Sequence, residues 1–212
     1  MANETQIIGL TGQIGAGKTS VSDLLRGYGY TVIDADVVAR EVVQKGKACL
    51  MDLVLAFGTD ILAPDGSLNR RRLGDVVFAD KEKRLELNRI TFPHIQKAIF
   101  ARLDQLRKEG VPIVFLDAPT LFESGTDSYC DKIVSVVAQT DLRRERILAR
   151  DTDLTPKQVD RRIAAQHDDA FYAARSDFVI RNDGNQNDLR IQVLHMLDAV
   201  GADRAGGQER PT

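Results

Sequence analysis

Apolar positions in this chain follow two rhythms, short unbroken runs and recurrences at helical spacing, and the two alternate along its length. The runs at Gln6–Leu10, Thr31–Ile33, Pro112–Asp117, Lys132–Val137 and Phe178–Ile180 predict five buried strands. Between the first two, Val21, Leu24, Leu25 and Tyr28 recur at i, i+3, i+4, i+7, one face of a helix. From Val37 to about Ala101 the pattern is mostly helical. Leu50, Leu53, Val54 and Phe57 form one stripe there, and Ile95, Ile99, Leu103 and Leu106 form another across a turn at Ala63-Pro64-Asp65-Gly66. Thr155-Pro156-Lys157-Gln158 has the capping-box pattern with proline at the first helical position, predicting a helix from there to about His167. Strands separated by helical stretches imply an α/β fold with a parallel sheet covered on both faces. The polar, glycine-rich end, 201–212, reads as disordered.

At the end of the first strand the chain reads Gly12-Gln13-Ile14-Gly15-Ala16-Gly17-Lys18-Thr19, which fits G-x-x-x-x-G-K-[ST]. Lying between strand and helix, it has the context a phosphate-binding loop requires. Gly12, Gly15 and Gly17 permit backbone conformations that residues with a Cβ resist, so successive N–H groups can converge on a β-phosphate at the positive end of a helix. Lys18 is then a point charge for the β- and γ-phosphates of ATP, and the Thr19 hydroxyl a ligand for Mg²⁺. The expected nucleotide-binding stretch is Gly12, Gln13, Ile14, Gly15, Ala16, Gly17, Lys18, Thr19 and Ser20. The bland alternative is a glycine-rich turn bearing a surface lysine. A dinucleotide fingerprint fits less well, because the glycines run G-x-x-G-x-G.

At 212 residues the chain suits one α/β domain with inserted subdomains. A net charge of −2 argues against general nucleic-acid or membrane binding and requires anions to be held by local clusters. Cys49 and Cys130 have no metal-site or redox spacing, which points to a reducing cytoplasm. No apolar run approaches about 18 residues, and Met1–Thr5 lacks the basic start of a signal peptide.

Two groups of side chains are candidates for the chemistry. Asp34 and Asp36 alternate at the end of the second run, so on a strand they would point the same way, and Asp117 ends the third. Asp36 is the preferred residue to orient or deprotonate an attacking hydroxyl, with Asp117, and Asp34 beside it, supporting metal or water. Alternatively, the pair at 34 and 36 caps the helix starting near Val37. Arg143, Arg146 and Arg150 share one helical face, and Arg161 and Arg162 follow on the next helix. Such helices would act as a lid whose guanidinium groups neutralise a phosphoryl group in transfer. A solvated basic face paired with Glu145, Asp151, Asp153 and Asp160 is the alternative. Arg70-Arg71-Arg72 reads as surface, and His94 as an ordinary polar residue or a substrate contact.

Taken in order, these segments resemble the dephospho-coenzyme A kinase family. The resemblance runs from about Ile7 to Gly184 through Gly9-Leu10-Thr11-Gly12, the phosphate loop, Val32-Ile33-Asp34-Ala35-Asp36, Ala39-Arg40-Glu41 and Leu121-Phe122-Glu123. It continues through Arg143 to Arg150, Arg162-Ile163-Ala164-Ala165-Gln166 and Asp177 to Gly184. It implies a P-loop NTPase three-layer sandwich with a central parallel five-stranded sheet. In that scheme 1–36, 102–142 and 168–200 form the nucleotide core, 37–101 a helical substrate domain and 143–167 a helical lid. The implied activity moves the ATP γ-phosphate to the ribose 3′-hydroxyl of dephospho-coenzyme A. Asp36 would be the base, Lys18, Arg143, Arg146 and Arg150 the catalytic cations, Arg150 and Asn182 further ATP contacts, and Thr19 with Asp117 the magnesium site. Dephospho-coenzyme A is the expected partner, with no nucleic acid or membrane, and a monomer is expected although self-association stays open. Gln13, Phe92 and Thr120 depart from the family pattern, the last two on the acceptor side. A kinase for another small acceptor, such as a nucleoside monophosphate, and an idle nucleotide-binding module are the rival readings.

Overall fold

The computed structural model describes residues 5–78 and 80–202. The expected disordered tail lies outside the described residues from 203 onward, as does the segment 1–4. Two compact units emerge, one carrying the chain up to Ile33 and from Leu106 onward, the other Asp34–Gln105. No helix among the described residues is long and apolar enough to cross a membrane.

The first unit is built on five strands, β1 Gln6–Gly12, β2 Thr31–Asp34, β3 Ile113–Asp117, β4 Lys132–Val137 and β5 Phe178–Arg181, in the spatial order β2-β3-β1-β4-β5. The pairs β1–β3, β1–β4 and β4–β5 are parallel. Helices α1 Lys18–Gly27, α6 Thr140–Arg150, α7 Pro156–Ala164, α8 Asp169–Ala173 and α9 Gln186–Ala199 complete the unit. The central strands are apolar at nearly every position because both of their faces are covered. Ile8, Leu10, Phe115, Val134 and Val136 from the sheet pack with Val21 and Leu25 of α1 and with Val193, Met196 and Leu197 of α9. Burying each of these side chains contributes about 1.5–3 kcal/mol. With β1 at the centre, the chain leaves for β3 on one side and β4 on the other, so the crevice for a ligand opens beyond the carboxyl end of β1.

The second unit contains α2 Ala35–Glu41, α3 Ala48–Phe57, α4 Arg70–Phe78 and most of α5 Lys81–Lys108. Its own core joins Val43, Cys49, Leu53, Ile61, Leu73 and Val77. Leu53 of the α3 stripe is fully buried, with Val54 and Phe57 packed beside that core.

Three boundaries differ from expectation. β1 runs on to Gly12 because Gly12 stays in register with Val136 of β4, and Gln13 N–H still donates to the Val136 carbonyl at 3.1 Å. α7 stops at Ala164, leaving His167 beyond it. Most consequential, β2 gives way to α2 at Ala35, so Asp34 and Asp36 do not alternate on a strand.

Candidate active site

The turn from β1 to α1 closes around Gly17, which precedes the helix with φ 96° and ψ 26° and supplies no side-chain cap. A Cβ there would stand 2.2 Å from Asn182 Nδ2, so the position needs glycine both for its backbone and for space. Lys18, Thr19 and Ser20 open α1, and helix geometry gives their N–H groups no intrahelical acceptor. Together with the helix dipole, they make a ready seat for an anion.

The carbonyls of the loop are held from outside. Ile14 O accepts from Arg143 Nε at 2.9 Å, and Ala16 O from Asn182 Nδ2 at 2.8 Å and Arg146 Nη1 at 3.5 Å. Three loop amides also face the protein. Gln13 N–H continues the ladder to Val136, Ile14 N–H donates to Gln166 Oε1 at 2.7 Å, and Ala16 N–H donates to the Gln13 carbonyl at 3.1 Å. The Gln13 side chain is buried, its Nε2 donating to the carbonyl of His167 at 3.3 Å and to Asp169 Oδ1 at 3.0 Å. Within the expected nucleotide-binding stretch, Gln13, Ile14 and Ala16 thus spend their N–H groups on the protein, and those of Gly15 and of Gly17 to Ser20 are left for an anion.

Arg143 calls for a similar correction. It is only 3% exposed and is fastened to Ile14 O and Gln166 Oε1, so it braces the loop and is not a mobile lid cation. Burial lowers its pKa, partly countered by the charge of Asp169 and by Tyr172. Guanidinium still keeps its proton under these conditions. Asn182, 7% exposed, likewise meets the loop through Ala16 O. At the far end of α6, Arg150 forks onto Asp151 at 2.8 and 2.9 Å with its side chain 61% exposed. Arg144 pairs with Asp160 at 2.7 Å, joining α6 to α7. The three arginines of one predicted face thus sit in different surroundings, and the acid pairing weighed as the alternative is present at Arg150.

Asp117 ends β3 opposite Leu10 of β1. One carboxylate oxygen pairs with Lys18 Nζ and the other accepts from Ser22 Oγ at 2.5 Å. Lys18 is thereby parked at the loop on a buried carboxylate. Thr19 is exposed beside it. Asp34 is used as a cap, accepting the N–H groups of Asp36 and Val37 at 2.8 and 3.1 Å. Both bonds go to Oδ1, the capping arrangement weighed as the alternative. Asp36, exposed in the first turn of α2, belongs to the unit 34–105. In the same unit His94 Nε2 meets Asp52 Oδ2 at 2.7 Å, the contact of an ordinary polar residue.

Next to the loop lies a cleft of about 950 Å³, within the usual range for small-molecule sites. Gly17, Ser20, Leu24, Arg146, Asn182 and Gln186 are among the residues that line it. A chain end of β5 followed by a capped helix thus borders the anion seat.

A family model described as dephospho-CoA kinase matches residues 6–188. The chain belongs to the dephospho-CoA kinase family. As a member it is an ATP-dependent phosphotransferase. Among relatives, the dephospho-CoA kinase of Bacillus cereus is 40% identical over 193 residues, covering 91% of this chain and 96% of its own. A crystal structure from Thermus thermophilus superposes with a TM-score of 0.79 at 31% identity, covering 93% and 98% of the two chains. The dephospho-CoA kinase structure from Campylobacter jejuni, at 24% identity, covers 93% and 98% with a TM-score of 0.69 and supports the fold.

In this member of the family, sequence reasoning missed three features. Ser22 lies one turn after Lys18 on the same helix face, a spacing that places its hydroxyl beside the same carboxylate. The wall formed by the start of α9 was legible in Asn185 and Asp188, whose capping box fixes where that helix begins. Gln166 had been noted only as part of a motif, with no contact assigned to it.

Proposed function

We propose that the Gly15–Ser20 turn and Lys18 bind the triphosphate of ATP, and that Asp36 receives the proton of the ribose 3′-hydroxyl of dephospho-CoA as it attacks the γ-phosphorus. The products are CoA and ADP, the last step of CoA formation. The observation that carries this reading is the uncapped start of α1, with a lysine held at its mouth by Asp117. On ATP binding, Lys18 exchanges that carboxylate for the β- and γ-phosphate oxygens and follows the charge into the transition state. The cleft beside the loop takes the nucleoside, between α1 and Asn182. Arg146, lying on both the loop and the cleft, steadies the nucleotide, and Arg150 leaves Asp151 to meet the transferred group when the part of the expected lid 143–167 between the loop-bound Arg143 and Gln166 closes.

Magnesium fits the residues present. No group of three or more His, Cys, Asp or Glu side chains converges on a metal among the described residues. Mg²⁺ instead needs only one or two protein oxygens alongside phosphate and water, which the Thr19 hydroxyl and the Asp117 carboxylate offer. When bound, it neutralises charge on the β- and γ-phosphates. The unit 34–105, which contains the expected helical insertion 37–101, serves as the acceptor domain. The protein acts as a cytoplasmic monomer.

The deciding experiment gives purified protein ATP and Mg²⁺ with dephospho-CoA, CoA and nucleoside monophosphates side by side. Transfer to dephospho-CoA and none to CoA, whose 3′-oxygen is already esterified, is expected. Transfer to nucleoside monophosphates alone would overturn the acceptor assignment.

A further inference from the structure

Gln166 stands just past the end of α7, and its single side-chain oxygen accepts two hydrogen bonds, from Ile14 N–H at 2.7 Å and from Arg143 Nη2 at 3.0 Å. A carboxamide oxygen has two lone pairs, so its accepting capacity is used in full. Arg143 in turn donates to the Ile14 carbonyl at 2.9 Å. Both polar groups of one loop residue, its N–H and its C=O, are therefore fixed by a closed set of three residues. A second tie lies alongside, where Gln13 Nε2 reaches the carbonyl of His167 and the carboxylate of Asp169. The joint between α7 and α8 is thus fastened to the two residues that lead into the anion-facing turn.

We propose that Gln166 is a positioning residue for phosphoryl transfer. By holding Ile14 and the buried guanidinium of Arg143 together, it sets the conformation in which Gly15 and Gly17–Ser20 present their N–H groups to the triphosphate. It acts through the loop and touches no reacting atom. The proposal rests on the reading of the loop as the ATP site. Removing the acceptor leaves a loop N–H and part of a buried cation without a partner, a loss of two hydrogen bonds at once. Relaxation of the loop would recover part of that loss, at the expense of its fit to phosphate.

Gln166→Met keeps the volume and removes the acceptor, whereas Gln166→Glu keeps oxygens for both donors. Calorimetric titration with ATP and steady-state kinetics on dephospho-CoA should show Gln166→Met binding ATP about tenfold more weakly, with kcat down about tenfold. KM for dephospho-CoA should stay within twofold, and Gln166→Glu should recover ATP affinity to within about threefold of wild type. Wild-type ATP affinity in Gln166→Met, equal losses toward ATP and acceptor, or a Glu variant no better than Met would each overturn the proposal. Hydrogen exchange of the Ile14 amide in the unaltered protein needs no variant: protection comparable to β1 is expected, and exchange as in an open loop would count against the bond. If the unaltered protein binds ATP yet phosphorylates no dephospho-CoA, the acceptor reading fails, while the ATP titrations still decide the role of Gln166.

Discussion

Two places in this molecule share one local plan, a strand followed by a helix, across a five-residue loop in one and directly in the other, and they end in opposite states. Where β1 meets α1, Gly17 offers no side chain and the first N–H groups of the helix have no cap. Where β2 meets α2, Asp34 accepts the N–H groups of Asp36 and Val37 and closes the helix start. A carboxylate at the first turn would occupy the seat a phosphate needs, and a glycine at the second would leave α2 without its cap. The contrast separates a turn that waits for an anion from one that has supplied its own. It also assigns the acids differently: Asp34 is spent on the backbone, and Asp36 is carried one step further along the helix.

The largest effect is expected at the second turn. Asp36→Asn should retain ATP binding while turnover falls by roughly 10²–10⁴, the range for a positioned proton acceptor. Calorimetry with ATP beside a coupled assay on dephospho-CoA separates the two quantities, and unchanged turnover would remove Asp36 from the chemistry. At the first turn, Lys18→Ala should leave the fold intact and lower turnover by about a hundredfold or more, since a charge that tracks the γ-phosphate is lost. The change also frees Asp117, so a small shift in unfolding temperature should accompany it. Near-wild-type turnover would take the loop out of the mechanism.

The openness of the first turn depends on Gly17. Gly17→Ala must adopt φ near 96° and drives a methyl to 2.2 Å from Asn182 Nδ2, displacing the side chain that holds Ala16 O. A loss of about 1–3 kcal/mol in stability is expected, with ATP affinity reduced more than tenfold. Gly110 provides the control. It also has positive φ, 73°, but a Cβ there meets nothing within 4 Å, so Gly110→Ala should cost about 1–2 kcal/mol in denaturant unfolding and leave ATP affinity unchanged. Equal effects on ATP affinity at both glycines would show that the close approach of Asn182 does not matter.

How far these features could be read in advance follows from what kind of signal each one leaves. The strands, α1 and the loop were legible because burial on both faces imposes continuous apolar runs, and because the loop's spacing encodes a backbone shape. The start of α7 was legible for a related reason, since Thr155 and Gln158 declare a helix end locally, with Gln158 Oε1 accepting from Thr155 N–H at 2.8 Å. The arginine face was legible only as spacing. Periodicity says that Arg143, Arg146 and Arg150 share a side of α6, but not that the first turn of that side presses on loop carbonyls while the last meets solvent. Gln166 and Gln13 leave still less trace, because a polar side chain bonded to a distant backbone has the same local pattern as a surface one. Asp34 was ambiguous for a different reason. An aspartate after a strand suits both a cap and a metal ligand, and the cap became visible only with the two-residue difference between a strand ending at Asp34 and one ending at Asp36.

The smallest expected effect is also the one that tests the comparison most directly. If Asp34 serves only as the cap of α2, Asp34→Asn should be nearly silent, because asparagine caps about as well as aspartate and its side-chain oxygen can accept the same two N–H groups. Turnover within about threefold of wild type and an unchanged unfolding temperature are expected. Asp34→Ala removes the cap and should lower stability by about 1 kcal/mol, with a modest fall in turnover as the first turn of α2, which carries Asp36, frays. Denaturant unfolding and the coupled assay, run on both variants, give four quantities from two substitutions. An Asp34→Asn variant that keeps its stability but loses a hundredfold or more in turnover would mean that the charge at 34, and not its capping oxygen, is what the reaction uses. The roles of the two aspartates would then be exchanged.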